Sequence, residues 1–171
     1  NGSEDVRKRK ETVLDTIAKY SVPNSYKAAA YFEKGYHLEE AEQMLLDEII
    51  GVNQRQDCSD FHFTTILTTY LKHQDEMSDK VKAVIKDAAL NYRYWIDEPG
   101  DDVMWFFSEN HALLFHTCQY LAGRLFPEDV FTNSGKSGAE VSARGRKLLE
   151  EWFEEFFREF ITEWNSNAYI P

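Results

Sequence analysis

Basic residues are in the minority in this sequence, and their shortage limits the partners that the protein can have. The chain has 19 lysine and arginine residues against 30 aspartate and glutamate residues, which gives a formal net charge of -11. Nucleic-acid binding needs a basic face that neutralises phosphates. The densest basic run, residues 7–10, lies between acidic residues and is typical of a solvated helix face. No nucleic-acid partner is expected.

Long hydrophobic runs are also missing. No apolar stretch approaches the roughly 20 residues that a membrane-spanning helix requires, so no membrane partner is expected. No signal peptide is recognisable. The sequence therefore predicts no particular compartment.

Cysteine is scarce, with Cys58 and Cys118 as its two examples. Two residues are too few for a disulfide framework, and both are expected to behave as small buried side chains, with a single bridge as the alternative. The sequence contains neither the cysteine-pair motif nor the HExxH motif that would indicate a zinc site. No metal and no cofactor is predicted, although Glu109 and His111, with an acid from residues 97–102, are an alternative set of ligands for a divalent cation.

Proline and glycine are few as well, at 4 and 8 residues, whereas 43% of the chain is apolar and 15% is aromatic. Apolar residues recur at helical spacing along almost the whole chain, with Ser78 and Ser108 as N-caps and Gly35 and Gly51 just beyond helix ends. We predict an all-α fold of about seven helices in antiparallel hairpins, with no strand. Residues 1–171 are predicted to form a single helical domain.

Two longer irregular segments, roughly residues 97–107 and 126–138, interrupt this helical pattern. Both are rich in glycine, proline, aspartate, asparagine and serine. Loops of this length in a compact helical protein are more often functional than accidental. They are the first places in which to look for a site.

Three polar clusters lie at predicted helix ends, and each mixes carboxylates or amides with aromatic residues. They occupy residues 53–62, 94–111 and 163–171. If the helix ends meet, they form a cleft that suits a sugar, with aromatic rings for its apolar faces and polar groups for its hydroxyls. The residues predicted to bind such a glycan are Arg55, Asp57, Asp60, Asp97, Trp105, Trp164 and Asn167.

Structural explanations compete with several of these assignments. Asp60 could simply cap its helix, together with Ser59, and Asp97 could simply belong to a turn before Pro99. Tyr169 could simply pack, and His116 on an apolar helix face is typical of a core histidine. The aromatic stripe from Trp152 to Trp164 is expected to be core.

The succession "RQDCSDF", "YWIDEPGDD", "SENHALLFH", "YLAGRLFP" and "EWNSNAY" resembles a family of uncharacterised (α/α)-toroid proteins built from helical hairpins. More distantly, the Asn-His pair of "SENH" and the tyrosine of "NSNAY" are similar to the set that toroid polysaccharide lyases of the alginate lyase and heparinase type place around a uronic acid. The resemblance implies part of an (α/α) toroid, with Asn110, His111 and Tyr169 as catalytic residues. Because a full toroid needs roughly twice this length, it also implies a fragment whose partners include the remaining helices of the parent domain.

Three functions remain open at this point. In a lyase, Asn110 would bind the uronate carboxylate, and His111 or Tyr169 would remove the C5 proton. In a glycoside hydrolase, Glu109 would be the general acid, with Asp60 or Asp97 as the second carboxylate. A helical interaction scaffold without catalysis is the third. The Asn-His pair favours the lyase.

Overall fold

A computed structural model describes residues 2–158 of the chain, and the helical prediction is confirmed there. Its seven α-helices are α1 (Gly2–Tyr20), α2 (Ser25–Lys34), α3 (Leu38–Asn53), α4 (Ser59–His73), α5 (Asp79–Asn91), α6 (Glu109–Leu125) and α7 (Gly138–Arg158). A 3₁₀ turn, Gln74–Glu76, joins α4 to α5. None of the described helices is long and apolar enough to cross a membrane. Trp164, Asn167 and Tyr169 lie outside the described residues.

The prediction of no strand is wrong at one place. The second irregular segment contains a short antiparallel ribbon of β1 (Val130–Phe131) and β2 (Lys136–Ser137). Gly135 turns the chain between the two strands with a φ of 69°, a conformation that glycine adopts without strain. Phe131 anchors the ribbon because its side chain is 1% exposed and packs in the core.

Most helix ends follow their sequence signals. The side chains of Ser78 and Ser108 accept backbone N–H bonds from Val81 and His111, as N-caps do. Gly35 closes α2 in the left-handed conformation. Gly51, however, lies inside α3 rather than beyond it, because the helix continues through Val52, which is buried in the core.

The even-numbered helices run in one direction and bring their N-termini to one end of the molecule. Ser25 at the start of α2 contacts His62 near the start of α4, and Glu33 near the end of α2 contacts Lys72 near the end of α4. The start of α4 meets the start of α6 in the same way, through Asp60. Polar residues at these helix starts are therefore neighbours in space.

The hairpin of α6 and α7 is antiparallel and very closely packed. A Cβ at Gly123 would lie 2.4 Å from the backbone nitrogen of Ser142, and one at Gly145 would lie 2.6 Å from the backbone nitrogen of Tyr120. At the other end of the hairpin, Trp152 Nε1 donates to the Glu109 carbonyl at 3.0 Å. The pairing confirms antiparallel packing for this hairpin, whereas the closed toroid stays a prediction.

The aromatic stripe on α7 is not core in the described residues. Of the stripe, Phe156 is 37% exposed and Trp152 is half-buried, and the neighbouring Phe153 and Phe157 are 46% and 80% exposed. Their rings pack mainly on one another and on Trp152. The helical periodicity identified the stripe correctly but could not tell whether a neighbour covers it.

Candidate functional site

The first polar cluster lies in the turn between α3 and α4 and in the first turn of α4. Two non-glycine residues of this turn have positive φ, Arg55 at 51° and Cys58 at 65°. Cys58 occupies the N-cap position of α4 without a side-chain cap bond. The prediction that Ser59 or Asp60 caps this helix is therefore wrong, and Asp60 points into the protein instead, with none of its surface exposed.

The second polar cluster begins α6. Ser108 caps the helix by accepting from the His111 backbone N–H at 3.2 Å, and its hydroxyl donates to Asn110 Oδ1 at 3.0 Å. The Asn110 and Glu109 side chains are half-buried at this end of the helix. "SENH" thus combines a helix cap with three polar side chains in the first turn.

Asp60 and His111 form a buried pair. Asp60 Oδ2 lies 2.8 Å from His111 Nδ1, and the His111 side chain is 11% exposed. Because a carboxylate only accepts, the Nδ1 proton of the imidazole is directed at Asp60, and Nε2 carries the lone pair. The Phe61 ring packs edge-on against the imidazole. This is the arrangement in which a carboxylate orients a histidine base.

The removal of the Asp60 carboxylate from water is the main electrostatic feature of the pair. Burial raises the pKa of Asp60, and the neighbouring His111 partly offsets that rise. The second oxygen, Oδ1, is buried without a hydrogen-bond partner among the described residues. Leaving a buried carboxylate oxygen without a hydrogen-bond partner is energetically costly.

Arg55 holds the first irregular segment. Its guanidinium donates to Asp102 Oδ2 at 2.9 Å, to the Asn91 carbonyl at 2.8 Å and to Asn133 Oδ1 at 3.1 Å. Arg93, which lies between α5 and this segment, donates to the carbonyls of Glu98 and Ile96. The Arg55 side chain, predicted to bind substrate, is thus bonded to three different parts of the chain.

Asp57 contacts the same segment further along. Its Oδ1 accepts the backbone N–H of Trp105 at 2.9 Å and that of Cys58 at 3.1 Å. Trp105 is 56% exposed, and its ring lies edge-on to the exposed Phe107 ring, with 6.3 Å between the ring centroids. An exposed aromatic surface is therefore present at Trp105, and Phe107 extends it.

Asp97 and Glu98, adjacent in sequence, have different surroundings. Asp97 is exposed and pairs with Arg144 of α7 at 2.5 Å. Glu98 is buried and accepts from the Tyr94 backbone N–H and from Asn133 Nδ2. Burial raises the pKa of Glu98. Sequence reasoning missed its structural role, because no periodic pattern distinguishes a buried acid from an exposed one in an irregular segment.

Ser25, His62 and Glu48 resemble a catalytic triad in composition only. The Ser25 hydroxyl lies 2.8 Å from His62 Nδ1, and Glu48 Oε2 lies 3.3 Å from the same nitrogen. A triad needs the acid and the nucleophile on opposite ring nitrogens. Ser25 is also completely buried, so nucleophilic catalysis is not supported there.

The remaining candidates have ordinary surroundings. His116 is buried against Trp95, as a core histidine, and burial lowers its pKa to about 4. Cys118 is buried and Cys58 exposed, both as free thiols, so the expected burial is confirmed for one of them. Within residues 2–158, no group of three or more His, Cys, Asp or Glu side chains is arranged to hold a metal ion.

The structure thus brings the first and second clusters together, and the third lies outside the described residues. Comparison of the chain with protein-family models, with curated proteins and with solved structures gave no match. The geometry of Asp60, His111 and their neighbours is therefore the basis for assigning a function.

Proposed function

We propose that this chain is a carbohydrate-active domain that carries out a lyase-like β-elimination on a uronate-containing glycan, with His111 as the general base. The observation that carries the proposal is the 2.8 Å hydrogen bond between His111 Nδ1 and buried Asp60 Oδ2. It selects the tautomer whose Nε2 takes a proton, and it stabilises the imidazolium that results.

The proposed step uses three side chains. His111 Nε2 removes the C5 proton of the uronate, the electron pair forms a C4–C5 double bond, and the C4–oxygen bond breaks. Asn110 donates from its amide to the carboxylate, which makes the C5 proton more acidic. Tyr169 protonates the leaving oxygen, a role that the resemblance to toroid lyases supplies.

The surroundings of His111 suit an anionic sugar. Asn110 is in the first turn of α6, where the helix dipole favours a negative charge. The exposed Trp105 ring offers an apolar surface for a sugar face. Both features favour a uronate within the site despite the net negative charge of the whole chain, because net charge describes the surface field and not one pocket.

A glycoside hydrolase is the second candidate, favoured by the half-buried Glu109 beside the same pair. Its weakness is the second carboxylate. Asp60 has none of its surface exposed and is bonded to His111, and Asp97 is bonded to Arg144. The geometry therefore supports His111 better than it supports a pair of carboxylates.

The third candidate, an interaction scaffold, is favoured by the exposed aromatic residues of α7. We propose that the remaining helices of a larger (α/α) toroid, of which this chain is about half, cover that face. In that arrangement the scaffold surface and the glycan site belong to one domain.

The experiment compares wild-type protein with His111→Ala and Asp60→Asn on a panel of uronate-containing and neutral glycans. The unsaturated product is followed by its ultraviolet absorbance, and chain cleavage is followed by reducing ends. Asp60→Asn keeps the shape of the side chain but favours the wrong tautomer of His111, so we expect turnover to fall by about 10²–10⁴-fold. His111→Ala is expected to abolish formation of the unsaturated product.

The matched control is His37→Ala, because His37 is exposed and bonded to Glu40 far from this pair. It should leave turnover unchanged. Reducing ends without unsaturated product would replace the lyase by the hydrolase that uses Glu109. Absence of both products with every glycan, in a folded protein, would leave the scaffold as the better assignment.

A further inference from the structure

The turn at residues 54–58 contacts the first irregular segment, residues 97–107, at two points. Arg55 Nη1 donates to Asp102 Oδ2 at 2.9 Å, and Asp57 Oδ1 accepts from the Trp105 backbone N–H at 2.9 Å. Two residues after this turn, Asp60 holds His111. One short stretch of chain therefore positions both the exposed ring of Trp105 and the imidazole.

The conformation of the turn is unusual enough to need a reason. Arg55 and Cys58 both adopt left-handed conformations without being glycine, which is uncommon for residues with a Cβ. These conformations accompany the two bonds to the segment and the bond from the Cys58 N–H to Asp57. Backbone bonds from Arg55 N–H to the Val52 carbonyl and from Gln56 N–H to the Gly51 carbonyl also close α3 in this conformation.

The segment itself fixes which side of Trp105 faces out. Met104 and Phe106 are 5% and 2% exposed, and the Phe106 ring packs on Phe115 of α6 at 4.5 Å. Trp105, between them, is 56% exposed, so its ring points away from the core. The position of the Trp105 backbone is held by a hydrogen bond, which its N–H donates to Asp57 Oδ1.

We propose that Asp57 is a positioning residue, which holds the Trp105 backbone so that its ring stands at a fixed place relative to the Asp60–His111 pair. Asp57 then acts on the glycan through Trp105 rather than by direct contact. This role rests on the proposed function for the identity of the ligand, a uronate-containing sugar whose apolar face lies on the ring. Arg55 serves the same purpose for the start of the segment.

The first test needs no substrate. Amide hydrogen exchange of Trp105 is measured by NMR in wild-type protein, Asp57→Ala and Asp57→Asn. We expect exchange about tenfold faster in Asp57→Ala, the value of one lost hydrogen bond to a charged acceptor. Asp57→Asn retains an acceptor oxygen and should restore the slow rate. Asp101→Ala, which removes an exposed carboxylate from the same segment, is the matched control and should match wild type.

The second test separates positioning from a local structural effect. In an active protein, Asp57→Ala should raise KM about tenfold while kcat changes less than twofold, because the base and its carboxylate stay in place. Asp57→Asn should return KM towards the wild-type value. Unchanged exchange at Trp105 in Asp57→Ala overturns the proposal, and so does an unchanged KM together with faster exchange.

Failure of the proposed function is distinguishable from failure of this proposal. If the wild-type protein produces nothing from any glycan, the lyase assignment fails, and the exchange rates alone decide whether Asp57 holds Trp105. If the wild-type protein is active and the exchange rates are equal, the lyase assignment stands and Asp57 has no positioning role.

Discussion

Two histidines on one helix show how strongly the surroundings of a residue determine its chemistry. His111 and His116 both belong to α6 and are both buried. His111 faces the Asp60 carboxylate, whereas His116 packs on the Trp95 ring at 4.3 Å, with its Nδ1 lacking a partner among the described residues. A histidine with a carboxylate can stabilise a proton, and one without it is held neutral by burial.

His116 should make the protein less stable in mild acid. Its folded-state pKa, lowered to about 4, is below the ordinary value of 6.5. The unfolded chain therefore binds the proton more readily between those two values, and the stability that neutral His116 contributes is lost as the pH falls through this window. We expect the free energy of unfolding to fall by about 2 kcal/mol from this residue between pH 7 and pH 5.

The measurement is urea unfolding of wild-type protein and His116→Gln at both pH values. The variant lacks the titrating group, so its stability should change less with pH by that amount. Equal pH dependence in His116→Gln and wild type would show that His116 is not held neutral by the fold.

At the scale of the elements, glycine has opposite roles in two helices. Gly145 lies where α7 touches the backbone of α6, and an added Cβ would lie 2.6 Å from the Tyr120 nitrogen. Gly51 lies within α3, and an added Cβ would meet the flexible end of the Gln56 side chain at 2.9 Å. A backbone cannot move aside locally, whereas a side chain can rotate.

The two glycines should therefore respond oppositely to alanine. Gly145→Ala forces the α6–α7 hairpin apart and should lower the free energy of unfolding by about 3 kcal/mol or more. Gly51→Ala should raise it by about 0.5–1 kcal/mol, because alanine favours the helix. Thermal and urea unfolding of both variants measure the two effects. A similar loss in both would contradict the backbone contact as the cause.

The elements were largely predictable from the sequence, and their neighbours were not. Ser78, Ser108 and Gly35 mark helix ends because caps satisfy backbone groups locally. The ribbon at Val130 was missed because two-residue strands leave no periodic pattern. Gly51 was wrongly predicted to lie beyond the end of α3, because one glycine inside a helix lowers its stability only slightly when buried residues follow.

At the scale of the whole molecule, α1 is the least integrated element. Among its residues, Ala18 is buried and Leu14 and Ile17 are partly buried. An exposed ion pair, Lys10 with Glu33 at 2.9 Å, adds little to stability. The helix therefore rests on α2 with a narrow contact, whereas α7 packs along the whole of α6.

Removal of residues 1–20 should consequently lower the free energy of unfolding by less than about 2 kcal/mol, since the small buried area is offset by the entropy of ordering the helix. A chain ending at residue 137 lacks α7 and should lose cooperative unfolding. Circular dichroism with urea titration tests both truncations. A large loss from the first truncation would show that α1 is part of the core.

The site was predictable in composition and only partly in arrangement. The sequence placed Asp60, Asn110 and His111 at helix starts, and these starts meet because α4 and α6 run in the same direction. The bond between Asp60 and His111 could not be predicted, because 51 positions separate them and no local pattern records which helix starts are neighbours. For the same reason the bonds from Arg55 and Asp57 to Asp102 and Trp105 could not be predicted, and contact of these two residues with a substrate stays a prediction.

The long distances along the chain between contacting residues also affect the order in which contacts form during folding. Helices and hairpins form from residues close in the chain, whereas Arg55 reaches Asn133 across 78 positions. Closing such distances costs chain entropy that is recovered only after the surrounding helices have docked. A newly made chain can thus be helical and nearly compact while Asp60 and His111 are still apart. The contact between Asp60 and His111 is therefore expected to be among the last to form on folding.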